Sequence, residues 1–324
     1  MKHLFPALLL AMGTCNITAH ATSDVGNYPN APIRFVVSTS PGGGADLTAR
    51  LIGNKLSERL RQPVVIENRP GASGLIAGAF VAKAPADGYT LLFDITTYAV
   101  NPALQAKMPY VPLKDLVPVT QNIQASNVLV VAPSMPAHTL GEFIAYAKQR
   151  PGEVSFANAG NGSAQHLAME LFKRQAGIDL NAIPYKGGGP AMADTMAGHV
   201  NAYFGFLPAV TPHIKEGRLR PLATTGAMRE KNFPEVPTFI ESGMKGFISY
   251  DWNGIFAPGG TPQPVIRKIQ HEVSEVLKLP EVRQKLAELG TEPVGSTPEE
   301  FEVFLKGEMS KWSKVVKEAG IKIE

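Results

Sequence analysis

An α/β fold in two lobes, with mainly parallel sheets around a central cleft, is what this sequence predicts, and three observations carry the prediction. From Ile33 onward, short β-rich runs alternate with helical patterns, the order expected when helices cover parallel strands. The alternation restarts after Gln121, so the chain reads as two such units. Glycine-rich turns join strand to helix in both: Ser38 to Asp46 through Gly42, Gly43 and Gly44, and Ala157 to Ser163 through Gly160 and Gly162.

The elements follow in order. Lys2 and His3, the apolar run Leu4 to Met12 and the small-residue site Ala19-His20-Ala21 read as a secretory leader over residues 1–21. That run is too short to span a bilayer, and no later segment nears the roughly 20 apolar residues required, so direct membrane insertion is not expected. Cys15 lacks the upstream Leu usual in a lipoprotein site, and with the leader gone no cysteine is left for a disulfide. The apolar run Ile33 to Val37 is the first strand; Leu47, Leu51, Leu56 and Leu60 share a helical face that Pro63 ends. Val64-Val65-Ile66, a turn through Gly71 and Gly74 and a small-residue helix to Lys83 form the second unit, and Thr90 to Phe93 opens the third.

In the second lobe, Val128 to Ala132 is a strand, and Thr139 with Glu142 forms a capping box for a helix ending at Pro151-Gly152. Strands follow near 182–185, 200–204 and 219–224, with a helix from Pro190 to Gly198. A strand over 252–257 leads to helices over 263–289 and 298–319, the last entered through Thr297 and Glu300; no later strand is expected, and these helices complete the first lobe. The lobes are thus residues 22–123 with 248–324, and residues 124–247, the chain crossing near 124 and 248.

The chemistry expected at the cleft is anion binding. A helix N-terminus leaves its first N–H groups unpaired and carries roughly half a positive charge, and glycines let a ligand approach the backbone. Two such turns, one per lobe and both beyond strand carboxyl ends, suggest one ligand held from both sides. The Gly42-Gly43-Gly44 turn has the spacing of neither a phosphate-binding Gly-Lys-Ser/Thr loop nor a dinucleotide fingerprint, and no cofactor is expected. Ser163, His166 and Glu170 have helical spacing but no orienting acid or third ligand, so neither catalytic nor metal-ligating residues are assigned. Lys186, before Gly187, is either a third anion contact or a solvated side chain. A net charge of +3 with 44% hydrophobic and 18% charged residues gives no footprint for nucleic acid or membrane surfaces.

Pro41-Gly42-Gly43-Gly44 with Asp46, Glu67-Asn68-Arg69-Pro70-Gly71-Ala72-Ser73-Gly74, Asp87-Gly88-Tyr89-Thr90, Asn101-Pro102, Gly160-Asn161-Gly162-Ser163-Ala164-Gln165-His166, Pro184-Tyr185-Lys186-Gly187, Trp252-Asn253-Gly254 and Ser296-Thr297-Pro298-Glu299-Glu300 occur in this order along nearly the whole chain. In this the sequence resembles the periplasmic substrate-binding proteins of tripartite tricarboxylate transporters, the Bug family. The resemblance implies a type II periplasmic binding fold and a monomeric, non-enzymatic receptor. Such a receptor captures a small carboxylate (a di- or tricarboxylate or an aromatic acid) for transporter membrane subunits, or presents it to a sensor kinase. It implies a ligand set of Thr39, Ser40, Gly42, Gly43, Asp46, Ala72 and Thr96 on one lobe. On the other lobe the set is Asn158, Gly160, Asn161, Gly162, Ser163, Gln165, Tyr185, Gly205 and Phe206.

Two departures bear on the ligand. Ser38 and Thr39 stand where the family commonly has a proline and an aromatic residue, which removes an aromatic wall. Gly205 stands where it commonly has an Asp able to pair an ammonium. Carboxylates without an amino group are therefore expected to bind better than amino acids of matched size, with Asp46 as the alternative partner for an amine.

Overall fold

The computed structural model describes residues 25–105, 107–160, 163–185 and 187–321. Residues 1–21, read in the sequence as a leader and including Cys15, and Asn161, Gly162 and Lys186 lie outside them. Two sheets form the frame. The first runs β2 (Val64–Asn68), β1 (Ile33–Val37), β3 (Thr90–Ile95), β9 (Tyr250–Pro258), β4 (Leu116–Val131) and β10 (Glu292–Pro293). In the second, β7 (Ala202–Phe206) and β8 (Arg220–Thr224) pair the far half of β4, and β5 (Ser155–Asn158) and β6 (Asn181–Pro184) follow β7. Each sheet is parallel through its β–turn–α units and turns antiparallel where the crossing strands join.

The helices are α1 (Gly44–Leu60), α2 (Leu75–Val81), α3 (Thr97–Leu104), α4 (Leu140–Lys148), α5 (Ala164–Ala176), α6 (Gly188–Met196), α7 (Leu207–Lys215), α8 (Gln263–Lys278), α9 (Pro280–Glu288) and α10 (Pro298–Ala319). They cover both faces of the sheets, so the strands are buried as near-continuous apolar runs, such as Phe35, Val36 and Val37, each fully buried. The capping box of Thr297 and Glu300 is present, and Thr139 accepts from the Glu142 N–H while the Glu142 carboxylate reaches the His138 N–H.

The crossing strand β4 belongs to both sheets. Residues up to Ser126 pair with β9, and from Asn127 onward they pair with β7 and β8. At the changeover the Asn127 N–H donates to Thr225 Oγ1 at 2.9 Å, the Thr225 N–H donates to the Asn127 carbonyl at 2.8 Å, and the Thr225 hydroxyl donates to the Ser249 carbonyl. Both passages of the chain between the sheets are thereby tied together.

Two sequence expectations change. A strand does follow residue 258, since β10 pairs Gln124 and Ile123 of β4. Nor do the last helices serve the first lobe alone. Phe301 and Leu305 of α10 pack with Trp252 and Phe256, whereas Trp312, Val315 and Val316 enter the core that contains Phe156, Phe172 and Phe204. At 1.5 Å per residue a 22-residue helix is about 33 Å long, enough to serve both cores.

Candidate functional site

A cleft of about 700 Å³ lies between the two sheets. Its walls are built from helix N-termini: Gly44 and Ala45 of α1, Thr96 and Thr97 at α3, Ser163, Ala164 and Gln165 at α5, and Gly188 and Gly189 of α6. Each helix follows a strand, so the unpaired first N–H groups of four helices gather at one cavity. The local sequence explains the convergence. Gly42 has φ +82° and Gly160 φ +118°, conformations that favour glycine, and they turn the chain sharply from β1 and β5 into α1 and α5. Gly188 has no room for a side chain, because a Cβ there would lie 2.6 Å from the Tyr203 hydroxyl, which brings α6 close against β7.

Of the sequence-expected residues, Thr96, Ser163, Gln165 and Phe206 line the cleft directly. Ser163 is the N-cap of α5; its oxygen accepts from the His166 N–H at 3.2 Å, leaving the hydroxyl proton for another acceptor. Burial lowers the His166 pKa, so the imidazole is held neutral beneath the turn. Thr96 Oγ1 accepts from the Trp252 N–H at 3.3 Å. Gly42 and Gly43 lead into the lining residue Gly44, and a Cβ on Gly43 would meet only the Ser40 carbonyl, at 3.6 Å.

Several others act one step back. Asp46 is almost fully buried; burial alone would raise its pKa, but Arg50 Nε, the Gly42 N–H and Asn68 Nδ2, each at 2.9 Å, hold the carboxyl below the usual range. Its carboxylate thus closes the glycine turn from inside and does not line the cleft. Asn68 also donates to the Thr39 carbonyl, fixing the stretch that carries Ser40. Asn158 Oδ1 accepts from the Gly160 N–H at 2.9 Å. The Tyr185 hydroxyl donates to Asp194, away from the cavity. Ala72, at φ +47°, is exposed on the turn before α2 and is not a lining residue. Gly205 is buried, and a Cβ there would lie 2.4 Å from Val210 Cγ1, so this backbone has no space for an acid at that position.

The residue missed by the sequence reading is Asp251. It sits on β9 just before the Trp252-Asn253-Gly254 motif, and it lines the cleft from the first sheet. Gln165 Nε2, from the opposite wall, donates to Asp251 Oδ2 at 3.1 Å. Burial pushes the Asp251 carboxyl up to about 6, while the neighbouring Asn127 side chain pulls it the other way. Its signal in sequence was an acid immediately before the run read as a strand from Trp252. Thr97 also lines the cleft, and its Oγ1 has no hydrogen-bond partner among the described residues. Ser38, the departure at the first turn, points inward and donates to the buried Asp94 at 2.6 Å. Burial raises Asp94 to about 7, against the hydrogen bonds from Ser38 and the Ile95 N–H.

Comparison with known proteins places this geometry. A sequence profile described as "Tripartite tricarboxylate transporter family receptor" matches residues 48–321. Protein BugT of Bordetella pertussis is 39% identical over 100% of this chain and 99% of its own length. Among solved structures, the R. palustris protein Rpa4515 with adipate has a TM-score of 0.80 at 37% identity, covering 91% of this chain and 99% of its own. MatC from Rhodopseudomonas palustris with bound malate has a TM-score of 0.76 at 32% identity, covering 89% of this chain and 100% of its own.

Proposed function

This chain belongs to the tripartite tricarboxylate transporter receptor family, and from that premise we propose that it captures a small organic carboxylate in the cleft and delivers it to membrane subunits of a transporter of that type. The observation that carries the reading is the gathering of the N-termini of α1, α3, α5 and α6 on one cavity. Fixed backbone N–H groups recognise a carboxylate at little reorganisation cost, because their orientation is set by the helices before the ligand arrives. Ser163 adds a hydroxyl donor from one wall and Thr97 another from the opposite wall. The adipate and malate held by two structural relatives are of the size and charge this arrangement suits.

The reading includes a leader over residues 1–21, a periplasmic location and a monomeric receptor with no catalytic role. It also includes closure of the lobes, 22–123 with 248–324 against 124–247, around the bound acid. The ligand set comprises Thr39, Ser40, Gly42, Gly43, Thr96, Ser163, Gln165 and Phe206, together with Asn161 and Gly162, which lie outside the described residues; Asp46, Asn158 and Tyr185 hold the turns in shape.

Calorimetry of the purified, ligand-stripped protein against succinate, glutarate, adipate, citrate and benzoate tests it. At least one acid is expected to bind, and Ser163→Ala to weaken that acid by about tenfold or more, since a hydrogen bond to a charged group contributes about 1.5–3 kcal/mol. Absence of binding across mono-, di- and tricarboxylates, with and without an amine, would overturn the assignment.

A further inference from the structure

We propose that Asp251 makes the cleft selective for carboxylates that also carry a cationic amine, its carboxylate pairing with the ammonium while the helix N-termini hold the acid group. The proposal rests on the carboxylate-receptor reading and deepens it, and it reverses the preference that Gly205 suggests in the sequence.

Three observations support it. First, Asp251 is a lining residue of the cavity into which the four helix N-termini open. Second, it is not consumed by a structural ion pair: among the described residues its surroundings contain no cation, only the neutral Asn127 and Gln165 side chains. A half-buried carboxylate with no cation partner is costly, and a ligand that brings the cation relieves that cost. Third, Asp251 lies on the wall opposite Gln165, 3.1 Å away through its Oδ2. An ammonium at Asp251 and a carboxylate at the α5 turn are therefore separated by the span of one side chain, the spacing of an amino acid or a short amino-carboxylate.

An acid without an amine meets the opposite situation. Its negative charge enters a cavity that already contains the Asp251 carboxylate, so either the two repel or Asp251 must take up a proton. The other titratable groups facing the site do not change the sign. Glu288, at the end of α9, is a second lining acid; Tyr203 on β7 is a neutral phenol whose ionisation the Asp251 charge opposes; Tyr250, the neighbour on β9, hydrogen-bonds the Ala227 N–H.

The test is calorimetry on ligand-stripped wild-type and Asp251→Asn protein with matched pairs: succinate and aspartate, glutarate and glutamate, adipate and 2-aminoadipate, 3-phenylpropionate and phenylalanine. In the pairs that bind, the amine-bearing member is expected to be preferred by about tenfold or more in the wild type, and the preference to vanish in Asp251→Asn. Binding of the amine-free member that is retained or strengthened in Asp251→Asn, as relief of the repulsion requires, shows that the variant is folded, with Asp251→Ser as a second variant. As pH falls through about 6, affinity for the amine-bearing member should drop and that for its partner rise. Preference for the amine-free members, or equal losses for both in Asp251→Asn, would overturn this proposal and leave the receptor reading standing. Binding of no member would overturn both.

Discussion

Two carboxyls, Asp94 and Asp251, hold protons more tightly in the folded protein than in the unfolded chain, because burial raises them to about 7 and about 6 from the ordinary 3.8 of an aspartate. Between those limits the native state binds more protons than the unfolded state, so stability falls as pH rises through the window and levels off above about 7. Asp94 is the larger contributor, being fully buried with no partner for its Oδ2 among the described residues. Asp94→Asn is expected to flatten the pH dependence of chemical denaturation between about 4 and about 7 while Ser38 and Ile95 keep their acceptor. An unchanged slope would show that Asp94 is not the group responsible. Asp46 has the opposite sign. Its carboxyl is held below the usual range, so its contribution is present at neutral pH and fades only in acid.

At the scale of elements, β9 and α10 fit closely against each other. Gly254 has Phe301 on one side and the Thr120 carbonyl on the other, and an added Cβ would lie 2.3 Å from Phe301 Cζ and 3.0 Å from Thr120 O. Gly254→Ala is therefore expected to destabilise the protein by about 1–3 kcal/mol through overpacking, measurable as a lowered denaturant midpoint with an unchanged slope. Elements such as β1, α1, β2 and α10 were legible in the sequence because their apolar period, caps and Pro or Gly stops agree with the packing. Those that were not legible depend on distant partners. The polar stretch Thr120 to Asn127 does not read as strand, yet it is one: Thr120 donates to the Ser296 carbonyl, the Gln121 N–H to Ser296 Oγ and Asn122 to Asn253, satisfying buried groups that a short-range pattern assigns to a loop. The helices α3 and α7 were hidden by Pro102 and Pro212 inside them. At the site, the glycine turns were readable from composition, whereas Asp251 acquires its meaning only once β9 is laid beside Gln165 of the other wall.

For the molecule as a whole, the expected motion is hinge closure about the changeover at Ser126 and Asn127 and its companion at Ser249 and Tyr250, where Thr225 links both passages. Saturation with a bound acid should shrink the radius of gyration in small-angle scattering, with each lobe moving as a unit. Identical profiles with and without ligand would rule the closure out. The helix α10 limits the stroke, since it is anchored by Phe301 and Leu305 in one core and by Trp312 in the other.

The sequence contains two tryptophans, and the fold has given them separate posts. Trp252 forms part of the cleft wall, with Phe301 and Phe304 edge-on to it at 5.6 Å. Trp312 is sealed in the core of Phe156, Phe172 and Phe204, its indole N–H donating to Glu308 at 2.8 Å, while Lys311 lies over its ring and donates to the Ile248 carbonyl beside the crossing. Intrinsic fluorescence can therefore be divided by a single replacement. With Trp252 changed to Phe, the remaining emission reports the surroundings of Trp312, which the Lys311 contact with Ile248 couples to the crossing; with Trp312 changed to Phe, it reports what lies in the cavity. The time order of the two signals after rapid mixing would distinguish capture followed by closure from closure preceding capture, with no added dye.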